Sequence, residues 1–355
     1  MKYFAGIAGI LIISSFVYAE DYSFEVPNAE FKKEKLNLSG NFDLKYSVLK
    51  SRAFQDILYL YKMDFYLNGD YQPGDAGVHF KTNSEYSSDS QANFNLYELY
   101  GNLNLSMNSS MLLGKKTYNW GKGYAFNPVG YVNPAKDPEN PEQLQAGIFS
   151  ASYEYSKSFQ AGLAQNASFD LIVIPSVETI DNKISGIKNT DIAGKLYLLF
   201  LDTDIDFMQY CSKISPSKSG FDFSRNILSS LEMHGEFSRV EGSSYLFGIR
   251  WLNEWNITTI LEYYHNDAGL KLMQDYLYLK MSWPEPFNWV YFTPSIYTVI
   301  NTSDRSSIIG IPLSYKPITN FEFILWPSFL IGRQDTEFGS KQYENKLNFW
   351  TRFYF

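Results

Sequence analysis

The sequence predicts an all-β chain, an antiparallel transmembrane β-barrel of about 18 strands, with roughly 16 as the smaller alternative, occupying residues 35–355. Three observations predict it. No apolar run past Glu20 is long enough to cross a membrane as a helix, which takes about 20 residues. The chain nevertheless carries 28 Phe, 28 Tyr and 7 Trp, while its mean hydropathy is only −0.25. Finally, segment after segment alternates apolar with polar residues at a period of two. In a barrel wall every second side chain faces lipid and the others face the lumen, so apolar surface is abundant yet never contiguous along the chain.

The N-terminus fixes the expected compartment. Lys2 precedes an apolar run over residues 4–17 that closes on the small-residue site Val17-Tyr18-Ala19, the layout of a signal peptide spanning residues 1–19 and cleaved on export. Residues 20–34 then form a short periplasmic segment, and the expected destination is the cell outer membrane of a Gram-negative bacterium. Cys211 is the single cysteine, so neither an intrachain disulfide nor a cysteine-rich zinc site is available. Cleavage removes only Lys2 from the 30 basic residues, leaving 29 against 38 acidic ones, and this negative balance disfavours nucleic acid as a partner.

The first strand shows how each element is read. Leu36, Leu38, Phe42, Leu44, Tyr46 and Val48 alternate with Asn37, Ser39, Asn41, Asp43, Lys45 and Ser47, giving one face for lipid and one for water. The same pattern places strands at 57–69, 76–86, 93–106, 110–118, 146–155, 159–174, 191–201, 204–212, 219–227, 231–239, 244–252, 255–265, 275–283, 288–300, 307–315, 321–331 and 343–355, after 35–48. A three-residue turn Leu252-Asn253-Glu254 would set Trp251 against Trp255, Ile249 against Ile257, Phe247 against Thr259 and Tyr245 against Leu261. All eight would point outward, with Ser244, Arg250, Thr258 and Glu262 inward. Residues 213–228 divide at Phe221-Asp222-Phe223, because an even strand number returns both ends of the barrel to the periplasmic side.

The connections then sort into two sets. Tight turns at 107–109, 202–203, 228–230, 252–254 and 316–320 fall on one side, and the long connections 119–145, 176–190, 266–274 and 332–342 fall on the other, as in transmembrane barrels. Pro294, Pro312 and Pro327 lie inside strands and Pro175 ends one. Each removes a ladder donor, which predicts a bulge near the rim or, alternatively, a weakened seam that opens sideways.

In the last strand Leu347, Phe349, Phe353 and Phe355 share the lipid face, while Asn348, Arg352 and Tyr354 face the lumen. This pattern resembles the C-terminal signature of outer-membrane barrels. The resemblance implies that Phe353 and Phe355 are read by the barrel assembly machinery, which joins outer-membrane lipids among the expected partners.

Enzyme chemistry finds no footing, and no cofactor is expected. Gly114-Lys115-Lys116-Thr117 lacks the upstream glycine of a phosphate-binding loop, and no helical period follows it. Glu262 and His265, at an odd spacing on a strand, point to opposite faces and cannot pair as ligands. His234 and Glu236 share a face and suit a polar lumen lining. Only His79, His234 and His265 are present, and no motif sets one beside a nucleophile as a hydrolase requires.

Residues 96–141 add a resemblance. The stretch 96–101, then Leu113-Gly114-Lys115, Asn119-Trp120-Gly121-Lys122-Gly123, Phe126-Asn127-Pro128 and Asn133-Pro134 resemble a signature of outer-membrane barrels related to alginate-export and other porin-like channels. Lys115-Lys116 stands where those proteins carry Arg-Gln. Segments 231–237, 262–266, 285–287 and 336–339 extend the resemblance over most of the chain. It implies a porin-like channel for passive diffusion of small hydrophilic solutes or ions, with the outer-membrane component of an export or multi-protein conduit as the alternative and an outer-membrane hydrolase third.

On this reading the loop 119–145 is the constriction. Pro128, Pro134, Pro138 and Pro141 each follow Asn or Asp, a turn-forming pair that orders the loop. Lys115, Lys116, Trp120, Lys122, Asn127 and Asn133 are its candidate residues, with Lys136, Asp137, Glu139 and Glu142 beside them. Lys45, Lys62, Asp64, Lys81, Glu85, Glu98, Glu154, Arg250, Glu262 and Arg352 are the candidates for the lumen wall.

Overall fold

The computed structural model describes residues 36–52, 56–160, 162–177 and 187–355. The expected signal peptide 1–19 and periplasmic segment 20–34 lie outside the described residues, as does 178–186 within the long connection read at 176–190.

The alternation of apolar and polar residues becomes a single antiparallel sheet. Its strands are β1 (Asn37–Ser51), β2 (Ile57–Tyr71), β3 (Ala76–Ser87), β4 (Ser90–Ser106), β5 (Ser109–Lys116), β6 (Ile148–Ser158), β7 (Ala164–Val177) and β8 (Ile187–Phe200). There follow β9 (Thr203–Cys211), β10 (Lys218–Leu228), β11 (Leu231–Arg239), β12 (Ser243–Leu252), β13 (Thr258–Asn266), β14 (Asp275–Ser282) and β15 (Phe292–Asn301). The remaining segments are Ser306–Gly310, Leu313–Ile318, Phe321–Ile331 and the last strand, Tyr343–Tyr354. Ser306–Gly310 and Leu313–Ile318 run end to end between the same two neighbours, so they make one broken strand. β1 pairs with the last strand from Asn41 opposite Tyr354 to Ser51 opposite Tyr343. The sheet is therefore a closed antiparallel barrel of 18 strands, as the periodicity predicts.

The faces follow the pattern. Leu38, Leu44 and Tyr46 are exposed on the outside of β1, and Asp43 between them is wholly buried on the inside. Gly40 makes room at the closure: its backbone exchanges hydrogen bonds with Phe355 at 3.0 and 3.1 Å, and a Cβ there would run into the Phe355 ring, which stacks on Phe65. At the β8–β9 hairpin Leu201 and Asp202 take φ of 51° and 58°, the left-handed pair that a two-residue turn requires to match strand twist.

Three expectations need correction. The β12–β13 register differs from the prediction: Trp251 faces Thr259, Ile249 faces Leu261, Phe247 faces Tyr263 and Tyr245 faces His265. The turn uses residues 253–257, because the Asn253 side chain accepts the N–H groups of Trp255 (3.0 Å) and Ile257 (2.9 Å), and Asn256 turns left-handed at φ 60°. Trp255 thus sits in the turn. The slip is an even number of places, so every face is preserved.

The β14–β15 connection spans 283–291 and is long for its end of the barrel. Prolines at 284 and 286 bar the ladder there, and Trp283 packs on Phe287 and Trp289 on Phe292.

Pro327 lies in mid-strand and Pro312 at the break between Gly310 and Leu313, while Pro294 lies near the start of β15, opposite Trp283 of the β14–β15 connection. Trp283, Ser295 and Ile311 donate N–H groups to the carbonyls of Pro294, Pro312 and Pro327 at 3.0, 2.8 and 2.9 Å, and in each pair the return bond is missing because proline has no N–H. The loss is one bond in each of three adjacent seams. It breaks the strand at Ile311-Pro312 and unzips no single seam, which favours the bulge over sideways opening. Pro175 lies within β7, opposite Thr190.

Candidate functional site

The connection 117–147 turns into the barrel instead of covering its mouth. Its base is tied down locally: Thr117 N–H donates to Glu98 (2.9 Å), Tyr118 N–H to Asn133 Oδ1 (2.9 Å), and the Tyr118 and Ser150 hydroxyls meet at 2.7 Å. Gly121 has φ 98°, open only to glycine without strain, and a Cβ on it would come within 2.8 Å of Glu236 Oε1. The bare backbone lets the chain lie directly against the β11 wall.

There the loop meets carboxylates. Gly123 and Val129 donate N–H groups to the two oxygens of Glu236 at 2.6 and 3.3 Å. Tyr124 and Ala125 donate theirs to the two oxygens of Glu262, at 2.8 Å for Ala125. The Tyr124 hydroxyl donates to Glu232 at 3.2 Å, and Lys122 Nζ lies 2.8 Å from Asp206 and 3.9 Å from Asp222. His234, wholly buried, hydrogen-bonds Glu262 at 2.9 Å, so its partner is Glu262 and not the nearby Glu236. Charge-assisted bonds of this kind are about twice as strong as neutral ones.

Apolar packing completes the docking. Ala125 and Phe126 join Leu246, Ile260, Tyr278, Tyr297, Val299 and Ile308, with Phe338 added from the connection 332–342. Tyr118, Trp120, Val129 and Val132 join Ile172, Ala193 and Met208. These wall residues face the lumen yet are apolar, and the loop is what covers them.

The opposite wall is different. On β1 to β3 and the last strand, Arg352 grips Asp43 through two bonds of 2.7 and 2.8 Å, Lys45 pairs with Asp64 at 2.8 Å, and Lys62 with Glu85 at 2.9 Å. Lys45 lies 4.4 Å over the Trp350 ring. Among the described residues, neither apolar cluster includes a side chain from β1 to β4.

The loop is itself divided in charge. Burial works against the Lys122 ammonium, but Asp206 and then Asp222 hold its pKa above the usual lysine value. Burial lowers that of Lys136, against the pull of Glu236 and Glu262. Burial pushes the Tyr124 hydroxyl up to about 12, aided by Glu232. On the other edge burial raises the Glu139 carboxyl, with Lys341 and Lys346 opposing the shift and Asp137 adding to it. Glu142 reaches Lys280 at 2.7 Å.

The candidate residues thus fall in separate places. Lys115 is buried beside the Phe149 ring, Lys116 lies over Tyr100 and Tyr118, Trp120 is buried, and Asn127 Oδ1 accepts the Lys136 N–H at 3.1 Å. Lys115 and Lys116 end β5 at the foot of the loop, while Trp120, Lys122, Asn127 and Asn133 lie in its docked part. Lys81 sits opposite Glu98, which has His79 at 3.3 Å in addition to the Thr117 N–H. Arg250 is half exposed near Glu232, Glu154 is exposed on β6, and Phe353 and Phe355 are exposed on the outer face. Sequence reasoning placed Glu262 in the lumen but missed the clamp made by Glu236, Glu262 and Asp206. Acidic residues at inward positions of otherwise apolar strands were the available signal.

No family model matches the sequence, and no curated protein matches it. In structure the chain is similar to Pseudomonas aeruginosa OpdQ, at 9% identity and a TM-score of 0.61 over 91% of this chain and 99% of that one. It is also similar to Pseudomonas aeruginosa OccD3 (OpdP), at 11% identity and 0.56 over 91% of each chain. The barrel has a porin fold. A mutant of Rh. blastica porin agrees, at 12% identity and 0.52 over 90% of this chain and all of that one. At these identities what is shared is the porin barrel, and the details of the lumen belong to this chain.

Proposed function

We propose that this porin barrel is a channel of the outer membrane through which small hydrophilic solutes and ions diffuse passively, with the loop 117–147 as its constriction. The observation that carries the reading is the division of the lumen. A barrel of this width is not filled by its own wall side chains. Here one side is filled by the docked loop, while the wall of β1 to β3 and the last strand keeps paired charges such as Arg352–Asp43 and Lys45–Asp64, and among the described residues neither apolar cluster draws on β1 to β3.

Water is the natural occupant of that side. The passage then runs between the acidic edge of the loop, Asp137, Glu139 and Glu142, and the basic groups Lys45, Lys62, Lys346 and Arg352. Lys115, Lys116, Trp120, Lys122, Asn127 and Asn133 act on it by holding the loop in place. Export through a cleaved signal peptide and recognition of Phe353 and Phe355 by the assembly machinery complete the proposal, and the chain is not an enzyme.

Purified protein in a planar bilayer, with no partner added, should give stepwise currents whose reversal potential in a salt gradient reports ion preference. A correctly folded barrel that passes no current would sink the reading and favour the export conduit.

A further inference from the structure

Each hydrogen bond or ion pair described above from residues 122–125 and 129 of the loop to the wall ends on a carboxylate. Lys122 reaches Asp206, Gly123 and Val129 reach Glu236, Tyr124 and Ala125 reach Glu262, and the Tyr124 hydroxyl reaches Glu232. We propose that this makes the loop an acid-released gate, held across the lumen at neutral pH and set free when those carboxylates take up protons. The inference rests on the channel reading and adds a regulation to it.

The physical reason lies in what a carboxylate offers. Ionised, its two oxygens are acceptors only, and each of Glu236 and Glu262 uses both oxygens to receive backbone N–H groups. Protonated, one oxygen becomes a donor, the bonds lose their charge, and an N–H turned toward an O–H in a buried place is left without a partner. Two anchors therefore weaken for each proton taken up by Glu236 or Glu262.

Around the anchors, buried carboxylates stand side by side. Asp206, Asp222 and Glu236 stand directly opposite one another on the adjacent strands β9, β10 and β11, all buried. Lys122 is the cation nearest the first two, with Lys195 3.7 Å from Asp206 and Asp204 close by on β9. Among the described residues no N–H group donates to either oxygen of Asp222, which is wholly buried. Lys136 faces Glu236 and Glu262 from the loop itself. Glu262 also faces His234 and lies near Tyr278 on β14, while Glu232 has Arg250 at 3.6 Å, His234 at 3.7 Å and the Ser224 hydroxyl at 3.2 Å. The opposite wall has a similar row, Asp43, Asp64 and Glu85 facing one another on β1, β2 and β3, but there each carboxylate has a cation of its own, Arg352, Lys45 and Lys62.

The test compares bilayer currents of the full chain at about pH 7.5 and about pH 4, a span that brackets ordinary carboxylate titration. A second readout is the mobility of a nitroxide on Ala135→Cys in a Cys211→Ser background. Acid should reversibly abolish the quiet low-conductance state in favour of a larger, noisier current and should mobilise the label. The Glu236→Gln/Glu262→Gln double variant should show the acid behaviour already at pH 7.5 and change no further. Glu262→Gln alone, expected to be partial, covers the case in which the double variant fails to fold as judged by heat-modifiable migration. Currents and label mobility that are the same at both pH values, or a folded variant indistinguishable from the parent, would overturn the gate. If no variant conducts at any pH, the channel reading fails, and label mobility alone decides whether acid frees the loop.

Discussion

Glu262 shows how one side chain commits a long loop to one place. It accepts two loop N–H groups and the His234 ring while itself wholly buried, so removing it strands several polar groups at once. Each unsatisfied buried group costs about 1–3 kcal/mol. Glu262→Ala should therefore lower the midpoint of heat-induced loss of the folded gel band markedly, and Glu262→Gln, which keeps an acceptor, should lower it less; equal midpoints for all three proteins would mean that the clamp contributes nothing. Asp222 should behave in the opposite sense. It lies in register between Asp206 and Glu236, and like charges directly opposite on neighbouring strands destabilise by roughly 0.2–1 kcal/mol. Asp222→Asn removes that repulsion without changing shape, so its midpoint should rise. A clear fall would show that the Asp222 charge is needed to hold Lys122, its neighbour at 3.9 Å.

At the scale of the strand, facing was legible in the sequence and pairing was not. A period of two decides which side chains meet lipid, and it survives an error in turn length as long as the slip is even, which is why Phe247 and Ile249 keep the outer face although their partners moved. Turn length depends on side chains bonding backbone, as Asn253 does, and on runs such as Trp283-Pro284-Glu285-Pro286-Phe287 that leave the ladder early. The docked loop was less visible, because its anchors lie on strands remote in sequence. One trace existed: Leu246, Ile260 and Tyr278 make their strands apolar on the lumen side too, and such a face needs a cover. Facing gives a direct test. Phe247, 46% exposed in mid-strand on the outer face, should tolerate arginine at a cost of about 2–4 kcal/mol if it lies near the membrane centre. Asn95→Arg, on the polar lumen side of β4, should cost much less. Gly248 is unsuitable as that comparison, since a side chain there would strike the His234 ring. Urea-induced unfolding into and out of lipid vesicles measures both, and equal costs would reverse the assigned faces.

For the whole molecule, the loop is the core of the lumen and, in the proposed function, the limit on its width, and these two roles make one perturbation report twice. Shortening residues 124–140 removes Ala125, Phe126, Val129 and Val132, and it uncovers Leu246, Ile260 and Tyr278 on one side and Ile172 and Met208 on the other. Burial of a large apolar side chain is worth about 1.5–3 kcal/mol, so the shortened barrel should lose several kcal/mol of stability. The same deletion takes away Asp137 and Glu139 and empties half of the lumen, so unitary conductance should rise and ion preference should shift toward anions, drawn by Lys45, Lys62, Lys346 and Arg352 without an acidic edge opposite them. Other designs predict one effect without the other: a loop lying over the mouth gives conductance without instability, and a purely structural plug remote from the passage gives instability without conductance. Measured together on one preparation, a fall in stability with unchanged conductance and selectivity would remove the loop from the solute path and leave it only as the barrel's internal core.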